Sequence, residues 1–293
     1  MVEQTKAEQT KAEQTKAEQT KAEQTKAGQS RDEQTKIPAG ATTPSSTAGA
    51  MPEGAKDEHS AAEAVREMFD EIAPRYDFLN HALSMNVDRL WWRRTARIFR
   101  HILSRDQAHV LDLCAGTGDM SMALRAVATR QNSNAAIYAL DFSHQMLRHG
   151  LAKYRNKDVQ PIEADALQLP LPGCSMDLVV SAFGFRNLAN YDAGLNEIFR
   201  VLKSQGEVGI LDFSEPGGLF GKVYGFYFRQ VLPRIGSLIS GVSGPYAYLP
   251  ASVHRFPAPE QMLNKMRAAG FADVSWTPYT FGIAGLYQGK RLV

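Results

Sequence analysis

Val110–Asp119, VLDLCAGTGD, runs an apolar stretch into an acid and then into a tight glycine turn ahead of a helix-like segment. That order predicts a strand feeding a ligand-binding loop. Gly116 and Gly118 remove side chains that would keep a ligand off the backbone, and the first amides of the following helix face the same space. A dinucleotide site would offer GxGxxG and bare N–H groups to a pyrophosphate, but here Ser121 holds the third glycine position and Asp112 and Asp119 flank the loop. Those acids repel a diphosphate and suit a cation. S-adenosylmethionine, with a sulfonium, an ammonium and no phosphate, is therefore the expected cofactor, and a nicotinamide dehydrogenase is the weaker reading.

Two further strand ends support this. Ala136–Leu140 ends in Asp141, 23 residues after Gly118, near the spacing at which a doubly wound fold sets a carboxylate on a ribose. Asp141 or Ser143 also precedes a helix expected over His144–Tyr154, so an N-cap role stands beside the ribose role. Val159–Ala164 runs into Asp165 and Ala166, where an acid could reach an adenine amino group.

Strand-like runs at His109–Leu113, Ala136–Asp141, Val159–Ala164, Asp177–Phe183 and Glu207–Phe213 alternate with helix-like stretches, Tyr191–Leu202 being the clearest. The alternation predicts an α/β, doubly wound, mostly parallel sheet with ligands at the carboxyl ends of its strands. Ala258–Gly270 reads as one more helix. Val274–Trp276 and Gly282–Gln288 read as a closing antiparallel pair, which makes seven strands. Ala61–Leu103, broken at Pro74, reads as a helical N-terminal extension of two amphipathic helices. Ser214–Pro257, with Phe220, Tyr224, Phe226, Tyr227, Phe228, Leu232, Tyr246 and Tyr248, is longer than a connection needs and reads as a lid for a large apolar substrate. Arg229 and Arg234 within it suit an anionic membrane surface or helix ends.

The first 58 residues differ in kind. Glu3–Ala27 is five copies of EQTKA, and a stretch rich in Pro, Ser, Thr and Gly follows. A five-residue period walks around a helix without keeping a face, so a disordered tail is expected. The tail is charge-balanced to Lys36, with seven basic and seven acidic residues, so the net charge of +2 belongs to the remainder. A balance that even gives no argument for nucleic acid. From His59 onward 235 residues remain, enough for one α/β domain. There is no apolar run of membrane-spanning length and no signal peptide core, and Cys114 and Cys174 form no metal motif. A reducing cytoplasm is the expected compartment, and homodimerisation stays open.

From about Val65 to its end the chain resembles the UbiE/MenG family of quinone-biosynthesis C-methyltransferases, within the class I S-adenosylmethionine-dependent methyltransferases. FDEIAPRYDFLNHALSMNVDRLWWRR near the start, VLDLCAGTGD, FGFRN at Phe183–Asn187, FRVLKSQGEVGILDFSEP at Phe199–Pro216 and LPRIGSLISGVSGPYAYLPASVHRFP at Leu232–Pro257 carry the resemblance. It implies methylation of a ring carbon of a polyprenylated hydroquinone: demethylmenaquinol first, a polyprenyl-benzoquinol of ubiquinone synthesis as the alternative. With the basic, apolar lid, transient contact with the inner membrane surface is expected. The cofactor contacts implied by the resemblance are Thr117, Asp141, Asp165 and Ala166, beside the loop residues Asp112 and Gly116. KSQG after Leu202 stands where the family commonly has KPGG, and an altered turn is expected there.

Methylation of a ring carbon needs a phenolate, so a proton must leave and the carbon must lie in line with the methyl donor. Arg186 is the expected phenolate stabiliser, with Asp77 or Asp212 taking the proton through a water. Asn187, Ser214, Tyr76, Tyr246 and His254 are further polar candidates. A cofactor-binding scaffold that lacks the substrate site is the reading from another class.

Overall fold

A computed structural model describes residues 49–75, 86–155, 157–218, 221, 225 and 244–293. Seven strands form one sheet: β1 (His109–Leu113), β2 (Ala136–Asp141), β3 (Val159–Glu163), β4 (Met176–Ala182), β5 (Leu202–Phe213), β6 (Ala272–Tyr279) and β7 (Ala284–Lys290). Their order is β3-β2-β1-β4-β5-β7-β6. The first five run parallel, and β7 lies antiparallel between β5 and β6. The expected strands are all present, with ends shifted by a few residues.

The strand order reverses between β1 and β4, which is where an open α/β sheet leaves a crevice at its carboxyl end. Leu113 pairs with Leu140, so β1 and β2 end level, and the glycine loop starts beside Asp141. Strand alternation sorts the core onto two faces. Val110, Ile137, Leu178 and Val180 pack with Trp91, Trp92, Phe99 and Leu124 on one. Leu111, Leu113, Leu140 and Val179 pack with Leu195, Ile198, Met262 and Met266 on the other.

Around the sheet lie α1 (Glu58–Ile72), α2 (Val87–Ile98), α3 (Asp119–Arg130), α4 (His144–Tyr154), α5 (Tyr191–Val201), α6 (Gly244–Arg255) and α7 (Pro259–Ala268). Asp57, Ser143 and Asn190 cap α1, α4 and α5 by accepting bonds from backbone amides. The two expected N-terminal helices are α1 and α2. After α1 a single 3₁₀ turn, Ala73–Arg75, contains the expected break at Pro74.

Two features differ from the sequence reading. KSQG is no simple turn: Lys203–Gly206 lies within β5 as an irregularity, with Gln205 at φ 62°. Gln205 N donates to Arg291 O and Arg291 N to Gly206 O, so the end of the chain holds the bulge in place. Packing also begins before residue 58. Ala50 is buried, and its amide donates to Leu188 O at 2.7 Å. Of the lid stretch, the backbone of α6 and the ends of the segment fall among the described residues; Phe220, Tyr224, Phe226, Tyr227, Phe228, Arg229, Leu232, Arg234 and the Tyr246 side chain lie outside them, as do Tyr76 and Asp77.

Candidate active site

The cavity at the switch point is an open cleft of ≈ 950 Å³, solvent at its mouth included, which falls in the range of small-molecule sites. Its walls are the β1–α3 loop, the ends of β2 and β4, and α1, which contributes Ala62 and Phe69. The loop has the sharp geometry the glycines foretold: Cys114, Gly116 and Gly118 have φ of 56°, 56° and 87°. A side chain at Gly118 would be strained, because its Cβ would run into the Tyr154 ring unless that ring shifts. Gly184, on the facing β4 turn, would meet Cys114 in the same way.

Of the expected cofactor residues, Asp112, Gly116, Thr117, Asp141, Asp165 and Ala166 all line this one cavity. Asp112 is fully buried on β1. Its Oδ2 accepts from Ser121 Oγ at 2.5 Å, while Oδ1 has no partner. Burial pushes its carboxyl up to about 7; the Ser121 bonds oppose this, and the charges of Asp141 and Asp119 add to it. Asp141 is held at both oxygens, Oδ2 accepting from Gly116 N at 2.8 Å and Oδ1 from Ser143 N at 2.9 Å. It thereby ties the glycine loop to β2, while the N-cap of α4 is Ser143. Burial pushes Asp141 up to about 6 against the pull of these amides.

Asp119 differs from its sequence reading. Lys153 Nζ donates to Asp119 Oδ1 at 2.8 Å and to Thr117 Oγ1 at 3.0 Å, so this flanking acid is already paired. The flanking acid with an unpartnered oxygen is the deeper Asp112. Asp165 is exposed, and one of its oxygens accepts from Leu167 N at 2.8 Å. Among the described residues no His/Cys/Asp/Glu group could hold a metal ion.

An orphaned carboxylate oxygen, a second buried acid at ribose spacing and apolar walls from Phe142, Met146 and Leu167 fit a nucleoside that carries a cationic amino-acid tail. Phe69, Trp92, Phe142, Met146 and Leu167 were missed in the sequence. Phe69 and Trp92 stand in the first of the motifs quoted above, and Phe142 and Leu167 directly follow the strand-end residues Asp141 and Ala166, but nothing in the sequence turned their side chains toward the cavity.

Arg186 and Asp212 come together beside this cavity. Arg186 Nη1 donates to Asp212 Oδ1 at 3.1 Å and to Phe183 O, its amide donates to Asp212 Oδ2 at 3.0 Å, and Nε reaches Ser252 Oγ at 3.4 Å. The guanidinium also lies 5.2 Å from the Phe213 ring centre. Asp212 is fully buried, and burial raises its carboxyl above the ordinary range while Arg186 pulls it down. Neither residue lines the cavity itself. Their neighbour Asn187 does, and Tyr248 OH donates to its Oδ1 at 3.2 Å. Burial pushes the Tyr248 phenol up to about 12. His254 stands apart, with its exposed ring 3.2 Å from Glu215, and Ser214 Oγ is bonded to Gly282 O.

The profile of the ubiE/COQ5 methyltransferase family matches residues 55–291. Demethylmenaquinone methyltransferases of Deinococcus radiodurans and Thermus thermophilus are 45% and 44% identical, over 80% and 76% of this chain and 95% and 100% of theirs. The ubiquinone/menaquinone biosynthesis C-methyltransferase UbiE of Geobacter sulfurreducens is 40% identical over 78% of this chain and 89% of its own. Among solved structures, a SAM-dependent methyltransferase from Thermotoga maritima superposes with a TM-score of 0.53 at 16% identity, covering 78% of this chain and 99% of that one. The [4+2]-cyclase SpnF superposes at 0.58 with 16% identity, over 85% and 100%. Those two likenesses establish the fold alone, but the family profile and the full-length relatives establish more: this chain is a member of the ubiE/COQ5 methyltransferase family.

Proposed function

We propose that the protein transfers a methyl group from S-adenosylmethionine to a ring carbon of a polyprenylated hydroquinone, demethylmenaquinol first and a polyprenyl-benzoquinol second. The observation that carries the cofactor half is the unpartnered Asp112 Oδ1 in a cavity that also presents Asp141. The substrate half is supported by the names of the full-length relatives and by the turn from Phe183 to Ala189, where apolar residues surround Asn187 on the cavity wall. Bound S-adenosylmethionine supplies an electrophilic methyl. Everything else falls to the chain.

In this reading Asp112 receives the ammonium of the cofactor, Asp141 the ribose hydroxyls, and Asp165 with Ala166 the adenine edge. Asn187, held by Tyr248, orients the ring hydroxyl. Arg186 Nη2 has no partner among the described residues, and its N–H groups are the donors we assign to the developing phenolate. Asp212 accepts from Arg186 and from the Phe213 amide at Oδ1, and from the Arg186 amide at Oδ2. With both oxygens occupied it positions Arg186 and is a poor proton acceptor. Asp77 remains the candidate for the proton, through a water.

The test is methyl transfer from methyl-labelled S-adenosylmethionine to a short-tailed demethylmenaquinol in detergent, with the ring-methylated product read by mass spectrometry. A protein that binds S-adenosylhomocysteine yet methylates neither the naphthoquinol nor the benzoquinol is a scaffold, and the proposal fails. A prenylated substrate resides in a bilayer, so the reading includes peripheral contact with a membrane surface. No described helix is long and apolar enough to cross one.

A further inference from the structure

The cationic surface is unevenly distributed. On α2, VDRLWWRRTARI, the side chains of Asp88, Trp91, Trp92, Thr95 and Ala96 are buried, whereas Arg89, Leu90, Arg93, Arg94 and Arg97 are exposed. At 3.6 residues per turn these exposed positions fall within an arc of about 140°. The outer face of the helix thus carries four guanidiniums, one leucine and no acid. Arg94 lies over the Tyr279 ring, 4.2 Å from its centre. Arg89, Arg93 and Arg97, with Arg130 from the end of α3, line a groove lined also by Trp92, Met122, Ala123, Ala126 and Val127.

Among the described residues no acid pairs with the side chains of these four arginines. The acid at the groove's wall, Asp119, is taken by Lys153. Cations spaced four apart on a helix repel one another, so the cluster costs stability unless an anion meets it. The groove shares Trp92 and Asp119 with the cofactor cavity, so the two open side by side. Two large apolar residues are exposed, Leu90 at 61% and Phe281 at 84%, and their chain neighbours Trp91 and Thr280 are joined by a 2.8 Å hydrogen bond.

We propose that the arginine face of α2 and the α2–α3 groove form a docking surface for anionic phospholipids of a membrane. Guanidiniums fork onto headgroup phosphates, and Leu90 and Phe281 reach the acyl boundary. A nucleic acid would satisfy the charge but offer nothing to the leucine, the phenylalanine and the apolar groove wall. Docking here sets the mouth of the cofactor cavity against the bilayer. The purpose of that placement rests on the prenylated substrate proposed above, whereas the binding itself does not.

Flotation of the full chain with vesicles tests the proposal, comparing phosphatidylcholine alone with vesicles in which phosphatidylglycerol replaces about a third of the lipid. The wild type should float with the anionic vesicles only and be released by salt. Arg89→Gln/Arg93→Gln/Arg97→Gln should weaken binding about a hundred-fold, taking about five-fold per arginine near an anionic surface. Leu90→Asp should weaken it too, and a thermal shift with S-adenosylhomocysteine confirms that each variant is folded. If the triple variant fails that check, the salt dependence and the Leu90 variant decide.

Equal binding to neutral vesicles, a folded triple variant that floats like wild type, or retention on an RNA oligomer with no flotation overturns the proposal. In detergent, where no surface is needed, the triple variant should methylate like wild type. A wild type that floats on anionic vesicles but methylates no quinol supports the docking surface and sinks the substrate reading.

Discussion

The acid buried deepest in the cofactor cavity should make cofactor binding depend on pH in a way no exposed carboxylate could. Asp112 stands at about 7, where an ordinary aspartate stands at 3.8, so in the empty protein its charged form is disfavoured by ~4 kcal/mol. The folded state holds this proton more tightly than the unfolded one. The resulting stabilisation of the empty protein is complete below about pH 4 and is lost as pH rises through 7. Asp141, at about 6, contributes in the same direction over a narrower window. A bound ammonium beside Asp112 Oδ1 reverses the preference, because the ion pair favours the carboxylate. Below pH 7 the ligand must therefore displace a proton.

For a group titrating at 7 that ionises on binding, the dissociation constant rises about eight-fold between pH 7.5 and pH 6. The window stops at 7.5 because a free α-amino group itself titrates near 8. Calorimetry with S-adenosylhomocysteine, which keeps the amino-acid tail, measures the slope directly. Repetition in buffers of different ionisation enthalpy counts the released proton. The control is 5′-methylthioadenosine, which lacks the tail and should show no such slope above pH 6. Asp112→Asn should flatten the profile and bind more weakly than the wild type at every pH in this window, because it cannot form the ion pair at all. A flat wild-type profile, or a slope that survives in Asp112→Asn, refutes the assignment of the ammonium to Asp112.

Asp141→Ala should weaken S-adenosylhomocysteine binding by about 10- to 150-fold, the worth of a charge-assisted bond, with Gly116 and Ser143 amides losing their acceptor as well. Unchanged affinity by calorimetry removes the ribose role. Arg186→Ala should slow single-turnover methyl transfer far more than it weakens cofactor binding, and should cost ~3–5 kcal/mol of stability by leaving Asp212 buried without its cation. Arg186→Met/Asp212→Leu should regain stability without turnover; a fast double variant takes the pair out of the mechanism. Gly118→Ala forces an alanine to φ 87° against Tyr154 and should lower stability by at least ~1–2 kcal/mol in denaturant titration. A chain that starts at Gly49 should match the full chain in cofactor affinity. One that starts at His59 should bind more weakly, because it loses Ala50 from the Leu188 backbone at the cavity wall.

The fold was legible because each β–α unit repeats one local rule. Apolar runs bounded by an acid or glycine placed β1 and β2 to the residue, and the Ser143 and Asn190 caps bound helices whose starts were read correctly. The start of β5 was not legible. Lys203–Gly206 has turn composition, and only the pairing of its backbone with Arg291, far along the chain, keeps it within the strand. The same limit governs the site. Glycines and strand-end acids declare themselves locally, but that Lys153 neutralises Asp119, that α1 lays Phe69 over the cavity and that Tyr248 reaches Asn187 are facts of tertiary packing. No periodicity encodes them.

The two halves of the cavity differ in how firmly residues tie them to a reaction. SpnF, a cyclase, has this fold, so the fold does not by itself dictate methyl transfer. What narrows the chemistry is charge. Asp141 is met by backbone amides at both oxygens, whereas Asp112, pushed up to about 7 by burial, keeps one oxygen without a partner, so the β1–β2 half suits a cofactor with a positive tail better than a diphosphate. On the β4 side the charge is already balanced, Arg186 against Asp212, and the wall beyond it is Phe183, Leu188 and Ala189. A neutral ring can enter there without displacing an ion. In the mechanism proposed above, the phenolate that forms there meets the Nη2 donors of Arg186, a guanidinium held in place by Asp212. Strengthening an interaction only as charge develops is what separates a catalyst from a binder, and it is why the Arg186 variants, more than those of the cofactor acids, decide whether this cavity does chemistry.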